Sequence, residues 1–354
     1  MTSSFAEVNI DHLLHNVQVL KSYLNPKVLQ MAVVKANAYG HGAVPVSRAL
    51  EPVTDWFAVV NAEEAIELRD AGIKKNILVF GPPNQETAGA YLAYNLTAVV
   101  SDLEHFEIIE DGTAYHIEFD TGMGRLGINP AQINEVKEKI KSNPKLRLSG
   151  VMTHFASADI PKHPQTGKQV KAFEEIRKAF NEIPDILFHA SNTAGILCFP
   201  EAQYDMVRHG LGMYGYDPSL VTESRLIPAM KWKSNISLCK YILKGTPVSY
   251  GATWSAPEDG YLAVIPVGYA DGFRRSLGGK IDVLIEGEYY PTVGRVTMDF
   301  VMVFLRDRYF KPGTAVTLLG AQKNDADIWA DQIDTIAFEI LCGLHKRVKR
   351  IYTR

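Results

Sequence analysis

The chain has 354 residues, 46% of them apolar and 22% charged, which suits two domains or one large barrel with an addition. A net charge of −3 gives no basic face for nucleic acid and no polybasic patch for a membrane surface. Three widely spaced cysteines, Cys198, Cys239 and Cys342, argue against a disulfide framework and a paired-cysteine metal site, so the expectation is a cytoplasmic protein without a metal.

The opening MTSSFAEVNIDHLLHN lacks a basic region followed by an apolar core, so no secretory signal is expected. No apolar run reaches the about 18 residues of a membrane span. From Leu29 the chain alternates short apolar runs with amphipathic stretches. LQMAVVK leads through turn formers to a helix near residues 44–50. DWFAVVN leads to AEEAIELRDAG, a helix with its glycine stop signal. NILVFG, TAVVS and AYHIEFDT follow as strands, each with a helical segment behind it. LRLSGVMTHF precedes the helix GKQVKAFEEIRKAF, and ILFHASNT and YDMVRHGLGMYG complete the series. These units, about eight, have the count and length of a parallel (β/α)8 barrel of the TIM type. A doubly wound open sheet is the alternative, because strand order cannot be read from one sequence.

After Leu220 the texture changes. SNISLCKYIL, YLAVIPVGY, KIDVLIEGEYYPTV, RVTMDFVMVFL and TAVTLLG are β-rich, with glycine and proline turns and hardly any helix between them. They predict a separate, mostly antiparallel β domain. The expected division is a barrel over 1–224 and a β domain over 225–354, the first eight or so residues pairing with the latter.

In a barrel the reactive groups sit at the carboxyl ends of the strands. Lys35 ends the first apolar run, where an isolated lysine would ordinarily snorkel into solvent. Asp120 and Arg125 follow the fifth run, His154 the sixth, Asn192 and Thr193 the seventh, and Arg208 to Gly212 the eighth. Singly, each has a plain structural reading. His154 suits a satisfied core position, Gly210 and Gly212 suit turns, Tyr250 suits packing, and Arg295 suits a surface ion pair. Together, on one expected face, they favour a site. The loops after strands seven and eight often bind phosphate in such barrels, and here they carry Thr193 and two glycines that let backbone N–H groups approach an anion. Phosphate and lysine at one mouth point to a phosphorylated aldehyde held as a Schiff base, best matched by pyridoxal phosphate. Dinucleotide and P-loop glycine patterns are absent.

The segments FAEVNIDHLLHNV, AVVKANAYGHG, DTGMGRLG, MTHFASAD, HASNTAG, VRHGLGMYGYDP, VSYGATW, PVGYADGF and GRVTMD, in that order, resemble the alanine racemase family over essentially the whole chain. The resemblance implies a barrel followed by a β domain, bound pyridoxal phosphate, interconversion of L- and D-alanine for cell-wall synthesis, and a homodimer. In that dimer each active site joins one barrel mouth to the partner's β domain. Lys35 matches the Schiff-base lysine and serves one face of the α-carbon. Tyr250 serves the opposite face from the partner subunit, since racemisation removes a proton on one side and returns it on the other. Free tyrosine titrates near pH 10, so nearby cations must favour its phenolate.

Arg208 matches the arginine facing the pyridine nitrogen, with His154 behind it. Arg125 and the Met298 N–H match groups that hold the substrate carboxylate. Tyr39, Thr193, Gly210 and Leu211 match phosphate-binding positions, and Tyr269 and Asp299 line the entrance on the partner's side. Two positions depart from the family. Glu118 stands two residues before the DTGMGR aspartate, where a carbamylated lysine is common, and is expected to supply a negative partner for Arg125. Lys346 replaces a tyrosine often found before the RVPR segment, so it cannot act as a phenolic gate. The competing readings are a racemase of another small amino acid such as serine, a non-catalytic cofactor carrier, and a basic amino-acid decarboxylase. Tyr250 with the β domain argues against the carrier. The arginine at 208 argues against the decarboxylase, which places a carboxylate there.

Overall fold

The computed structural model describes residues 4–160, 163–219, 225–321 and 324–354. Chain packing divides it into two units: one from Leu13–Ala38 and Ala43–Ile227, the other from the N-terminal residues through His12, Tyr39–Gly42 and the chain from Pro228 on. The boundary expected after residue 224 adjoins residues 220–224, which lie outside the described residues.

In the first unit eight parallel strands close a barrel. They are β2 (Leu29–Val33), β3 (Trp56–Val59), β4 (Asn76–Val79), β5 (Thr97–Val100), β6 (Ala114–Glu118), β7 (Arg147–Met152), β8 (Leu187–His189) and β9 (Met206–His209), numbered after an N-terminal strand, β1 (Ser4–Asn9). β9 returns to β2 through the pairs Leu29–Met206 and Met31–Arg208. Barrel strands are covered on both faces, which is why WFAV and TAVV are buried at every position. Helices Ala43–Leu50, Ala62–Asp70 and Pro164–Phe180 follow three of the strands.

The open-sheet alternative is thereby excluded. The helix Ala62–Asp70 starts where the Asn61 side chain accepts a hydrogen bond from Glu64 N, and Glu63 and Glu64 favour its positive end.

In the second unit the further strands are β10 (Met230–Asn235), β11 (Leu238–Ile242), β12 (Pro247–Val248), β13 (Trp254–Ser255), β14 (Gly260–Ile265), β15 (Asp282–Ile285), β16 (Glu288–Val293), β17 (Val301–Arg306), β18 (Ala315–Leu319) and β19 (Lys349–Thr353). Nine of the unit's strands form one sheet in the order β11-β14-β17-β16-β15-β18-β10-β1-β19, with β12 and β13 as a separate hairpin. The pairs are antiparallel except β1 with β19. β10 buries every second residue, the alternation of a strand with one covered face.

Three local features differ from the sequence expectation. SNISLCKYIL is not one strand but the end of β10 and the whole of β11. KIDVLIEGEYYPTV is a hairpin, turning at Glu286 and Gly287, whose φ values of 47° and 89° suit a tight turn between twisted strands. Two short helices, Ala326–Gln332 and Ala337–Cys342, occur where hardly any helix was expected. They bury Trp329, Ile340 and Leu341, and Trp329 packs on Phe273 at 5.0 Å and on Trp232 at 6.2 Å. Covering sheet surface outweighs their short length.

Candidate active site

β2 ends at Val33, and Lys35 opens an unusual turn. Ala36, Asn37, Ala38 and Tyr39 all have φ between 51° and 55°, a left-handed helical turn built from residues with side chains. That conformation costs about 1–2 kcal/mol per residue. Its offsets are visible. The Glu64 carboxylate accepts from Ala36 N at 2.7 Å and from Val60 N at 2.9 Å, joining the segments after β2 and β3. Asn37 Oδ1 accepts from Ala43 N at 2.9 Å. Within the other unit, Arg350 Nε donates to Gly40 O at 2.8 Å, Tyr352 donates to His41 O at 3.1 Å, and the Tyr39 ring meets Phe338 at 5.6 Å. Burial holds the Tyr39 hydroxyl protonated. The turn fixes Lys35, whose Nζ lies 5.9 Å from the centre of the Phe80 ring.

The barrel interior is organised around Arg208, which is 2% exposed. Its Nη1 donates to His189 Nδ1 at 2.8 Å, and its Nη2 reaches Thr153 O and Ala190 O at 2.8 Å and His154 Nδ1 at 3.2 Å. An arginine only donates, so both Nδ1 atoms accept and both imidazoles are neutral. His189 Nε2 must then carry its proton and donate to His116 Nδ1, 2.8 Å away. This leaves His116 Nε2 with a hydrogen and no partner among the described residues.

Burial, with Arg208 beside them, pushes His116 and His154 down to about 3 and His189 well below its usual value. Arg125 and Lys35 add to the effect on His154. Burial also brings Arg208 down to about 10, still charged at neutral pH, with Glu118 opposing the shift. Glu118 is itself 5% exposed. Burial raises its carboxyl, while Arg208 and then Arg125 oppose that rise.

β8 and β9 end at the cradle expected for an anion. Asn192 caps the helix Thr193–Cys198 by accepting from Gly195 N at 3.0 Å. Thr193 Oγ1 accepts from Gly210 N at 3.1 Å and Gly212 N at 3.2 Å. These two N–H groups therefore brace the threonine, leaving its hydroxyl hydrogen and the Leu211 N–H without an acceptor among the described residues. A Cβ at Gly212 would lie 2.6 Å from Thr193 Cγ2, so the close approach requires glycine. Tyr214 donates to Val33 O at 2.9 Å and ties this segment to the end of β2.

The donor set fits a phosphorylated aromatic aldehyde: Lys35 supplies an amine, Thr193 and Leu211 supply anion donors, and Arg208 supplies a buried cation with Nε–H unspent among the described residues. Arg125 is exposed in a loop shaped by Asp120, whose carboxylate accepts from Gly122, Met123 and Gly124 N–H groups at 2.8–3.1 Å. Asp120 therefore has a structural use.

Within the second unit, β12 and β13 are the arms of a tight turn carrying Tyr250, which is 73% exposed. Ser249, Gly251 and Ala252 have φ of 64°, 72° and 44°. Ser249 Oγ donates to Arg295 O at 2.6 Å, and a Cβ at Gly251 would lie 3.2 Å from Arg295 Nη1, which puts that cation against the tyrosine's turn. Met298, Tyr269 and Asp299 lie together on two loops joined by Tyr269 N to Thr297 O and Ala270 N to Met298 O, both 3.1 Å. Lys346 is exposed. His189 and His116 escaped the sequence reading because they sit inside strand runs. Their signal was a histidine inside the otherwise apolar runs AYHIE and ILFH.

An eight-stranded parallel barrel with a lysine and a buried arginine at the strand ends, followed by a β domain, defines a class of barrel enzymes whose reactive groups stand at one mouth. Residues 8–218 match the alanine racemase N-terminal domain and 229–352 the alanine racemase C-terminal domain. The chain is 37% identical to the alanine racemase of Symbiobacterium thermophilum, covering 99% of this chain and 97% of that one, and 38% identical to that of Nostoc, covering 98% and 95%. Its fold superposes on an alanine racemase structure from Clostridium difficile with a TM-score of 0.95 at 35% identity, covering 100% and 96%. The chain belongs to the alanine racemase family, and it is therefore an isomerase of the racemase type.

Proposed function

We propose that the protein interconverts L- and D-alanine with pyridoxal phosphate, acting in the cytoplasm as a homodimer and supplying D-alanine for peptidoglycan. The observation that carries this reading is the buried Arg208, charged at neutral pH, in the same barrel as Lys35 and Thr193, within a chain that matches both halves of one racemase family. The barrel is the cofactor-binding part. The β domain supplies Tyr250, Met298, Tyr269 and Asp299 to the partner's barrel. The high exposure of Tyr250 in one chain supports that assignment.

Pyridoxal phosphate, when bound, would supply the electron withdrawal that acidifies the hydrogen on the substrate's α-carbon. Lys35 Nζ holds the aldehyde and then accepts or returns a proton at one face of that carbon. Tyr250 of the partner subunit does so at the other face. Arg208 keeps its own protons, so a ring nitrogen held against it would stay unprotonated and electron withdrawal would stay moderate, which suits racemisation over decarboxylation. His154, neutral, holds the arginine in place together with His189. Tyr39, Thr193, Gly210 and Leu211 hold the phosphate or shape its cradle.

Arg125 and Met298 N–H take the substrate carboxylate, the first through its two-pronged guanidinium. Glu118 is the negative counterpart of Arg125. Glu118→Ala should weaken alanine binding, and unchanged KM would remove that role.

The test follows optical rotation of L-alanine with purified protein and added pyridoxal phosphate, with L-serine in parallel. Decay to zero, faster with alanine, supports the reading. Decay with serine alone moves the substrate, and carbon dioxide release would point to a decarboxylase.

A further inference from the structure

We infer that Arg347 is a positioning residue for substrate carboxylate binding, a role that rests on the proposed racemase reading and on Met298 N–H as a carboxylate donor. The geometry is a two-sided clamp. Arg347 Nε and Nη2 grip the Asp271 carboxylate at 2.7 and 3.1 Å, and Nη2 also reaches Asp299 Oδ1 at 2.7 Å. Asp271 is 4% exposed and accepts from Gly268 N at 2.8 Å, so its orientation is fixed from behind. Its backbone carbonyl also accepts from His345 N at 3.0 Å, which anchors the segment leading to Arg347.

Asp271 and Asp299 belong to the two loops that carry Tyr269 and Met298. These loops meet back to back at Gly268, where any Cβ would collide with Thr297 O and Met298 O. The Met298 loop is closed by Thr297 N to Phe300 O at 2.9 Å and Phe300 N to Thr297 Oγ1 at 3.0 Å. These bonds leave the Met298 N–H without an acceptor among the described residues, free for an anion. Such an N–H binds well only if its direction is set beforehand, and one residue away the Asp299 carboxylate is pinned by Arg347. A planar, two-pronged donor can hold two carboxylates in fixed register, and an ammonium cannot.

Half of the Arg347 side chain is exposed, so its ion pair with Asp299 adds little to fold stability. Its contribution is direction.

The experiment compares the wild-type holoenzyme with Arg347→Lys and Asp299→Ala. Arg347→Lys keeps a cation beside buried Asp271, and Asp299→Ala removes only the outer arm. Readouts are kcat and KM for L-alanine, the inhibition constant of propionate (a carboxylate without the amine), cofactor content and melting temperature. Arg347→Lys should raise KM and the propionate constant about tenfold, which corresponds to about 1.4 kcal/mol, with kcat within about twofold. Asp299→Ala should move both in the same direction, with cofactor content and melting temperature unchanged. Unchanged KM and propionate binding in both variants would overturn the inference, as would a fall in melting temperature alone, the mark of a simple brace. A wild type that racemises no amino acid would sink the underlying function, whereas an active wild type with indifferent variants sinks the role of Arg347 alone.

Discussion

Tyr250 illustrates how exposure and chemistry meet in a single residue. A tyrosine on a strained turn with 73% of its surface open gains little by packing within its own chain, which is what the proposed presentation to a partner subunit requires. Tyr250→Phe should abolish racemisation while Lys35 still exchanges the α-hydrogen of one alanine enantiomer with solvent deuterium, which NMR would follow. Equal loss for both enantiomers would contradict separate roles for the two groups. His209 offers a different single-residue test. It is buried beside Arg208 in β9, neither ring nitrogen has a partner among the described residues, and burial lowers it to about 4. The unfolded chain, with histidine near 6.5, binds more protons than the folded one in this window. Stability is therefore complete above about pH 6.5 and falls towards pH 4, by about 1.4 kcal/mol per pH unit for this histidine. His116, His154 and His189 act in the same sense. Glu118, raised by burial, acts in the opposite sense as pH rises above its unfolded value. His209→Leu should flatten the acid loss measured by denaturant unfolding at several pH values, without lowering stability at pH 7. An unchanged pH slope would mean that water or local opening already protonates this site.

Among the elements, the pairing of β6 with β7 matters most for the chemistry. Gly150 faces His116 across that ladder, and a Cβ there would lie 2.7 Å from the imidazole. The ring therefore occupies space that only glycine leaves open, and the hydrogen-bond chain from Arg208 through His189 ends in it. Gly150→Ala should displace His116 and disturb Arg208, lowering kcat about tenfold or more while the barrel still folds. Circular dichroism with steady-state kinetics would check both halves of that expectation. Loss of fold with unchanged kcat in the surviving fraction would make Gly150 a packing residue only. The strand runs AYHIE and LSGVM announced the two elements. Their mutual register, with its bulge between Tyr115 and His116, was not legible, because register depends on barrel closure.

For the whole molecule, the proposed composite site makes a quantitative prediction. Lys35→Ala and Tyr250→Phe homodimers should each be inactive. Mixed, unfolded and refolded together, they should regain activity, because each heterodimer combines one doubly defective site with one intact site. Random pairing would restore about one quarter of the wild-type activity per chain. No recovery, with heterodimers demonstrated by mass, would place both groups in the same chain's site and remove the shared arrangement.

The architecture was readable at the coarse level because hydrophobic period and turn chemistry are local properties. Eight apolar runs with helices between them predict a barrel, and alternating β-rich runs predict the second sheet. Lys35, Arg125, His154, Thr193 and Arg208 were visible because polar residues at the ends of buried runs are costly without a purpose. The chain's letters could not show that KANAY winds left-handed, since four strained residues persist only where Glu64, Asn37 and neighbouring backbone groups hold them. Nor could they show that His116 and His189 complete the arginine's hydrogen-bond chain, or that Arg347 bridges Asp271 and Asp299. These groups are 19 to 76 residues from their partners in sequence, so only closure of the barrel and folding of the loops bring the donors to their acceptors. Sequence alone determined which polar side chains stand at the strand ends. Tertiary structure decided their tautomers and partners, because a hydrogen bond depends on distance and angle and not on residue identity alone.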